Sequence, residues 1–183
     1  MMYPSFRGGN MNPGYIEAFY GEVDDLLASA DHLAQKDYVD TQWIYLGGHS
    51  TGGTMVMLAA AATDRLRAVF AFGPVDDVTE YSSDVLPFNP WKDQEATLRN
   101  PIQWLHARKS PVFVFEGSSG NITFLRSMRR ASDNPQLHFH AVHRADHFSI
   151  LAPMTTLVAE KIQQDTGFTC SIQFTDRELG QRF

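Results

Sequence analysis

An α/β fold with a mostly parallel sheet and flanking helices is what the sequence predicts, and three observations carry that prediction. Short, almost wholly apolar runs take turns along the chain with stretches of helical periodicity. The apolar runs lack the in-and-out alternation of a sheet with one wet face, so helices are expected over both faces. Between one such run and a helix-forming stretch stands Gly48-His49-Ser50-Thr51-Gly52-Gly53, the composition of a very sharp strand-to-helix turn.

Composition narrows the class further. A chain of 183 residues suits about one domain and is long enough to bury roughly 70% of its unfolded surface. With 43% apolar and 20% charged residues, and 13 glycines and 9 prolines scattered, it reads as globular rather than disordered or fibrous. The net charge of −6 and the lack of any long Lys/Arg run set aside nucleic acid and anionic membranes as partners. Cys170 stands alone, and Met1 to Arg7 lacks the apolar core of a signal peptide, so a cytoplasmic location is expected. The longest apolar stretch, around Met55 to Ala62, falls far short of the roughly 20 residues that cross a bilayer.

The elements follow in order. From Pro13 to about Lys36, Ile16, Phe19, Val23, Leu26, Leu27, Ala30, Leu33 and Ala34 recur at three- and four-residue steps opposite Glu17, Glu22, Asp24, Asp25 and Asp31, an amphipathic helix. Trp43 to Leu46 is a short strand, and Thr54 to Ala62, rich in Ala and Met, a helix. Further strands are expected at Leu66 to Phe72, Val112 to Phe115 and Leu137 to Val142, with helices near Phe124 to Arg130 and Leu151 to Ile162. Residues 76–110 break this rhythm and are expected to be an insertion or lid over one end of the sheet, with a short helix around Ile102 to Leu105. Phe88, Trp91 and Trp104 in it would line a substrate pocket or pack the core. Residues 166–183 form a C-terminal extension, with a strand-like run at Ser171 to Phe174 and the helix capping box Thr175-Asp176-Arg177-Glu178.

The chemistry centres on Ser50. In a G-x-S-x-G turn between strand and helix, the crowded backbone leaves no room for side chains two positions before and after the serine, and its hydroxyl is pushed out above the sheet. The helix N-terminus behind it supplies backbone donors for an oxyanion, the Thr51 N–H first among them. A nucleophilic serine needs a base, and His147, ninety-seven residues on and just past the last expected strand, is placed to reach the same sheet edge. His138, His140 and His143 precede it, but no acidic or cysteine partner at ligand spacing joins them, and no metal or organic cofactor is expected. His49 reads as a packing residue of the turn.

Together with these motifs, Phe6-Arg7-Gly8, Asn12-Pro13-Gly14, Phe19-Tyr20-Gly21-Glu22-Val23-Asp24-Asp25, Tyr38-Val39-Asp40 and Asp146-His147-Phe148 make the chain from about Tyr3 to Ile162 resemble the catalytic domains of prolyl-oligopeptidase-type α/β-hydrolases. That resemblance implies an α/β-hydrolase-like three-layer sandwich of one domain. It also implies serine hydrolysis of peptide or ester bonds by Ser50 and His147, with the Thr51 N–H in the oxyanion hole.

The chain departs from the family pattern in two places. Where an aspartate is expected after the third strand, the sequence reads Glu116-Gly117-Ser118-Ser119-Gly120-Asn121, so the acid partner of His147 is open. Glu116, Asp76 and Asp77 are candidates, Asn121 is a weaker one, Asp146 is expected to point elsewhere, and a site with no third member is a further possibility. The chain also starts where the fourth strand of such a fold would end, so the first strands and the loop that gives a second oxyanion donor have no counterpart. The elbow strand would then be an open sheet edge, able to pair with a second copy of the chain. A serine hydrolase, peptidase or esterase, is therefore the primary expectation, and a catalytically silent hydrolase-like binding module the alternative.

Overall fold

Four strands, β1 (Tyr45–His49), β2 (Ala68–Phe72), β3 (Val112–Gly117) and β4 (Leu137–Val142), pair in chain order, every pair parallel, in a computed structural model that describes residues 1–82 and 86–183. The helices are α1 (Tyr20–Ala34), α2 (Thr51–Ala62), α3 (Asp93–Arg99), α4 (Ile122–Arg130), α5 (Leu151–Gln164) and α6 (Asp176–Gly180). Parallel strands need a crossover, and α2 and α4 supply it between β1 and β2 and between β3 and β4.

The two-residue period of a strand sorts the core by size. Val69, Ala71, Val112 and Val114 face Leu26 of α1, Val56, Met57 and Ala60 of α2, and Leu125 and Met128 of α4. Phe70, Phe72, Phe113 and Phe115 face the other way, against Ile150, Met154, Leu157 and Val158 of α5 and its approach, and against Ile172 and Phe174. On that second face the rings stack in register: Phe70 on Phe113 at 5.5 Å and Phe72 on Phe115 at 5.2 Å. His138 and His140 continue the stack on β4, at 4.9 Å from Phe113 and 5.2 Å from Phe115, with Phe174 edge-on to His140. Both faces of the sheet are thus covered, and the α/β expectation holds.

Several boundaries differ from the sequence reading. α1 starts at Tyr20 and not near Pro13, because Ala18 and Phe19 hold left-handed backbone (φ 48° and 77°) and turn the chain before the helix begins. The segment before the turn is clasped to the helix instead: Arg7 donates to Asp25 and Glu17, and Gly21 leaves the room that its guanidinium fills. β1 starts two residues late because Asp40 caps a 3₁₀ turn at Thr41–Trp43. Ile102 to Leu105 lies in a 3₁₀ segment, Pro101–Ala107. Ser171 to Phe174 is not a strand: Ile172 and Phe174 are buried against the sheet face, beside a capping box at Thr175 and Glu178 that forms as read.

Within the expected insertion, residues 83–85 lie outside the described residues. Around them Val78, Tyr81, Leu86, Phe88 and Trp104 pack with Phe19, Leu58 and Val75. Trp91 is exposed. Among the described residues β1 has β2 as its one sheet neighbour, so the elbow strand stands at an edge. Among the described residues no helix is long and apolar enough to cross a membrane.

Burial pushes His140 down to about 4 and also lowers His138, and His140 Nε2 is buried without a hydrogen-bond partner among the described residues. The folded chain therefore holds His140 neutral while the unfolded chain takes up a proton below about pH 6.5. The contribution of this group to stability is full above that pH and is lost as the pH drops from 6.5 toward 4. His140→Phe keeps the ring stack and removes the proton site. Thermal denaturation across this range is expected to show a smaller acid loss in the variant than in the wild type.

Candidate active site

Ser50 sits between β1 and α2 with φ 55° and ψ −116°, a left-handed conformation that costs a serine about 1–3 kcal/mol and persists where its surroundings over-determine it. Three contacts do so. Ser50 N–H donates to Phe72 O at 2.8 Å, Thr54 N–H donates to Ser50 O at 3.0 Å, and the glycines around the turn let backbones meet. A Cβ on Gly48 would stand 2.3 Å from Gly52 O, and one on Gly53 would stand 2.6 Å from Phe72 O. A Cβ on Gly52 would meet nothing within 4 Å. The crowded positions are therefore two before and three after the serine, which corrects the symmetrical reading of the motif. Thr51, the first residue of α2, is exposed, so its N–H is at the free helix end beside Ser50.

His147 lies in the loop between β4 and α5. Asp146 shapes that loop: its carboxylate accepts from the N–H groups of Phe148 and Ser149, while its own N–H donates to Ser149 Oγ. These bonds hold the Asp146 carboxyl below its usual range and engage it within its own loop. His147 Nδ1 faces Glu116 Oε2 at 3.0 Å, a ring N–H donating to a carboxylate, which leaves Nε2 as the free ring nitrogen.

Glu116, the next-to-last residue of β3, is 1% exposed, and its other oxygen accepts from Gly117 N–H at 2.7 Å. Of the acids left open by the sequence, Glu116 is the one brought to the histidine. Asp77 is spent on capping, accepting from Thr79 N–H and Thr79 Oγ, and the Asp76 carbonyl accepts from Ile102 N–H. Asn121 precedes α4 and makes no side-chain cap there.

Two glycines outside the recognised motifs make the pair possible. Gly73, with φ 59°, follows β2, and a Cβ on it would stand 2.4 Å from His147 Cε1 and 3.0 Å from Glu116 Oε2. A Cβ on Gly120 would stand 2.5 Å from Glu116 Oε1. The imidazole therefore lies over the backbone of Gly73, the residue next to Phe72, whose carbonyl holds the Ser50 N–H. The Ser50 hydroxyl itself makes no hydrogen bond among the described residues. His49 has a larger part than packing: its Nε2–H donates to His147 O at 2.9 Å, and the two rings lie 4.5 Å apart. A histidine beside the serine was visible in the sequence, but nothing in the spacing pointed to the main chain of residue 147. Among the described residues no group of three or more His, Cys, Asp or Glu side chains is arranged to hold a metal ion.

A parallel sheet covered on both faces, with a serine on a strained strand-to-helix turn and an acid-bound histidine past the last strand, defines an α/β-hydrolase fold. The chain belongs to the prolyl oligopeptidase family, whose model matches residues 10–150. Among solved structures it resembles dipeptidyl peptidase 4 of Porphyromonas gingivalis (19% identity, TM-score 0.68, 81% of this chain and 23% of that one). It is similar also to a puromycin-hydrolyzing peptidase of Mycobacterium tuberculosis (17%, 0.69, 86% and 26%) and to acylaminoacyl peptidase of Pyrococcus horikoshii (13%, 0.65, 88% and 30%). The chain thus spans between 23% and 30% of the length of these proteins. A comparison with curated proteins finds no match.

Gly73→Ala tests the packing of the pair. The new methyl group collides with the imidazole on a backbone that disfavours any side chain, so a loss of about 1–3 kcal/mol in chemical denaturation is expected. The downfield proton resonance of the His147–Glu116 hydrogen bond is expected to vanish in the variant.

Proposed function

We propose that this chain carries the catalytic machinery of a serine peptidase-type hydrolase acting on peptide bonds, and on esters of the same acyl shape. The single observation behind this reading is the contact of His147 Nδ1 with the buried Glu116 carboxylate at 3.0 Å, made directly over Gly73 beside the carbonyl that anchors Ser50. In the proposed reaction Ser50 Oγ bonds to the substrate carbonyl carbon while its proton passes to His147 Nε2. The Thr51 N–H, at the positive end of α2, donates to the oxyanion. Collapse breaks the bond to the amine or alcohol, which leaves with the proton from His147. Water, deprotonated by the same nitrogen, then releases the acid and restores Ser50.

Glu116 fixes the tautomer with Nε2 unprotonated and faces the imidazolium when it forms, the part usually played by an aspartate. Family membership supports the peptidase class, and the strained turn supports Ser50 as the nucleophile.

A fluorophosphonate probe tests this without knowledge of the substrate. Labelling of the wild type that is lost in Ser50→Ala is the expected result, with far-UV spectrum and melting unchanged. Glu116→Gln is expected to slow labelling by something like 10⁴-fold, whereas Asp76→Asn with Asp77→Asn leaves it near wild type. A folded wild type that does not label would favour the silent binding module.

A further inference from the structure

A second charged group stands at the opposite end of the sheet. Ser50, Glu116 and His147 all belong to the carboxyl ends of strands, whereas Arg108 lies four residues ahead of β3, at the amino ends. Arg108 is 3% exposed and has no carboxylate partner among the described residues. Nη1 donates to Trp104 O, while Nε and Nη2 are buried and unpartnered. Those two N–H groups are not a random pair. They form the side edge of the guanidinium, two parallel donors spaced to grip both oxygens of one carboxylate or phosphate.

The surroundings suit such a guest. Arg108 is the one buried residue lining an open pocket of about 500 Å³, whose other walls are His106, Ala131, Ser132, Asp133, Asn134 and Pro135. The pocket is formed by the two loops that lead into β3 and β4. Asn134 braces it: its Nδ2 donates to the carbonyls of Leu105 and Arg108, and its Oδ1 accepts from Gln136 N–H. The loops are thus tied to one another by a side chain. Burial alone pushes the guanidinium down to about 10, so it stays charged at neutral pH in a place where an unpaired charge is costly. Asp133, exposed at the rim, is the opposing charge that any anion would meet.

We infer that Arg108 is the anchor of an anion-binding site, separate from the candidate catalytic centre, that takes one oxyanion group, carboxylate or phosphate, on the Nε/Nη2 edge of its guanidinium. Neither donor reaches solvent as the side chain stands, so the side chain turns toward the pocket to take the group, which then satisfies both orphaned donors at once.

The test needs no enzymatic activity, so it stands or falls apart from the hydrolase reading. Inorganic phosphate and acetate are titrated separately into the full chain at constant ionic strength, set by sodium chloride, and followed by thermal denaturation and calorimetry. At least one of the two is expected to raise the Tm of the wild type above the chloride control, and the arm that does so tells phosphate from carboxylate. Arg108→Met is expected to weaken binding by about tenfold or more, and to melt higher than the wild type without anion because the uncompensated charge is gone. Asp133→Asn, which leaves the guanidinium in place, is expected to bind more tightly. The inference is overturned if neither anion shifts the wild type beyond chloride, or if Arg108→Met responds as the wild type does. Should Arg108→Met fail to fold, weaker anion binding by Asp133→Asn than by the wild type overturns it equally.

Discussion

The contact on which the site depends is the hydrogen bond from Ser50 N–H to Phe72 O, which pins the end of β1 to the end of β2. It forces two backbones to within van der Waals reach just where each leaves the sheet. The consequences run outward from there. Gly53 must have no side chain because Phe72 O occupies that space, and Gly48 must have none because the first turn of α2 folds back over it. Ser50 is then left with a conformation that a free chain would avoid. One residue beyond the pinned carbonyl, Gly73 leaves open the space that the His147 ring fills.

The loops after β3 and β4 are joined by the same means. Ser118 N–H donates to Val142 O and Ser119 N–H donates to Ala145 O, while Gly117 has Ala145 backbone where a Cβ would be. Glu116 is sealed inside this junction. A carboxylate this buried is tolerable only with donors on both oxygens, and Gly117 N–H and His147 Nδ1–H supply them. The glutamate has one methylene more than an aspartate and lies on the strand itself, not several residues into the loop. The longer arm and the earlier position offset one another, which is how a carboxylate on β3 itself reaches the His147 ring.

Much of this was legible because it is written in local pattern. The four apolar runs, the helices over Thr51–Ala62, Ile122–Arg130 and Leu151–Gln164, the elbow and the capping box at Thr175 are all features of neighbouring residues. What escaped depends on pairs far apart in the chain. Glu116 could not be told from Asp76 or Asp77, since strand order and register decide which acid faces residue 147. Gly73 and Gly120 looked like ordinary turn glycines, and their need is set by a histidine that arrives much later in sequence. The early start given to α1 has a different cause: Ile16 and Phe19 keep helical spacing, but two left-handed residues, Ala18 and Phe19, break the ladder while preserving the apolar order.

β2 and β3 are buried along their whole length, yet β1, which leads into the Ser50 turn, is half-buried with exposed backbone at Gly47. With one sheet neighbour, β1 cannot owe its rigidity to the sheet alone. A second clamp lies off the sheet, through Thr54, one helical turn past Ser50 and fully buried. Its Oγ accepts from Val75 N–H and meets Tyr81 OH at 3.0 Å, so α2 is bolted to the loop that leaves β2. The elbow is held from the sheet side by Phe72 O and from the helix side by Thr54. Both tie it to the segment Phe72 to Tyr81, and the bond from His49 Nε2–H to His147 O ties the end of β1 directly to the loop that carries the imidazole. None of these contacts uses the outer edge of β1, so the Ser50 turn is held in its geometry on the least buried strand of the sheet by contacts from β2, α2 and the loop of His147.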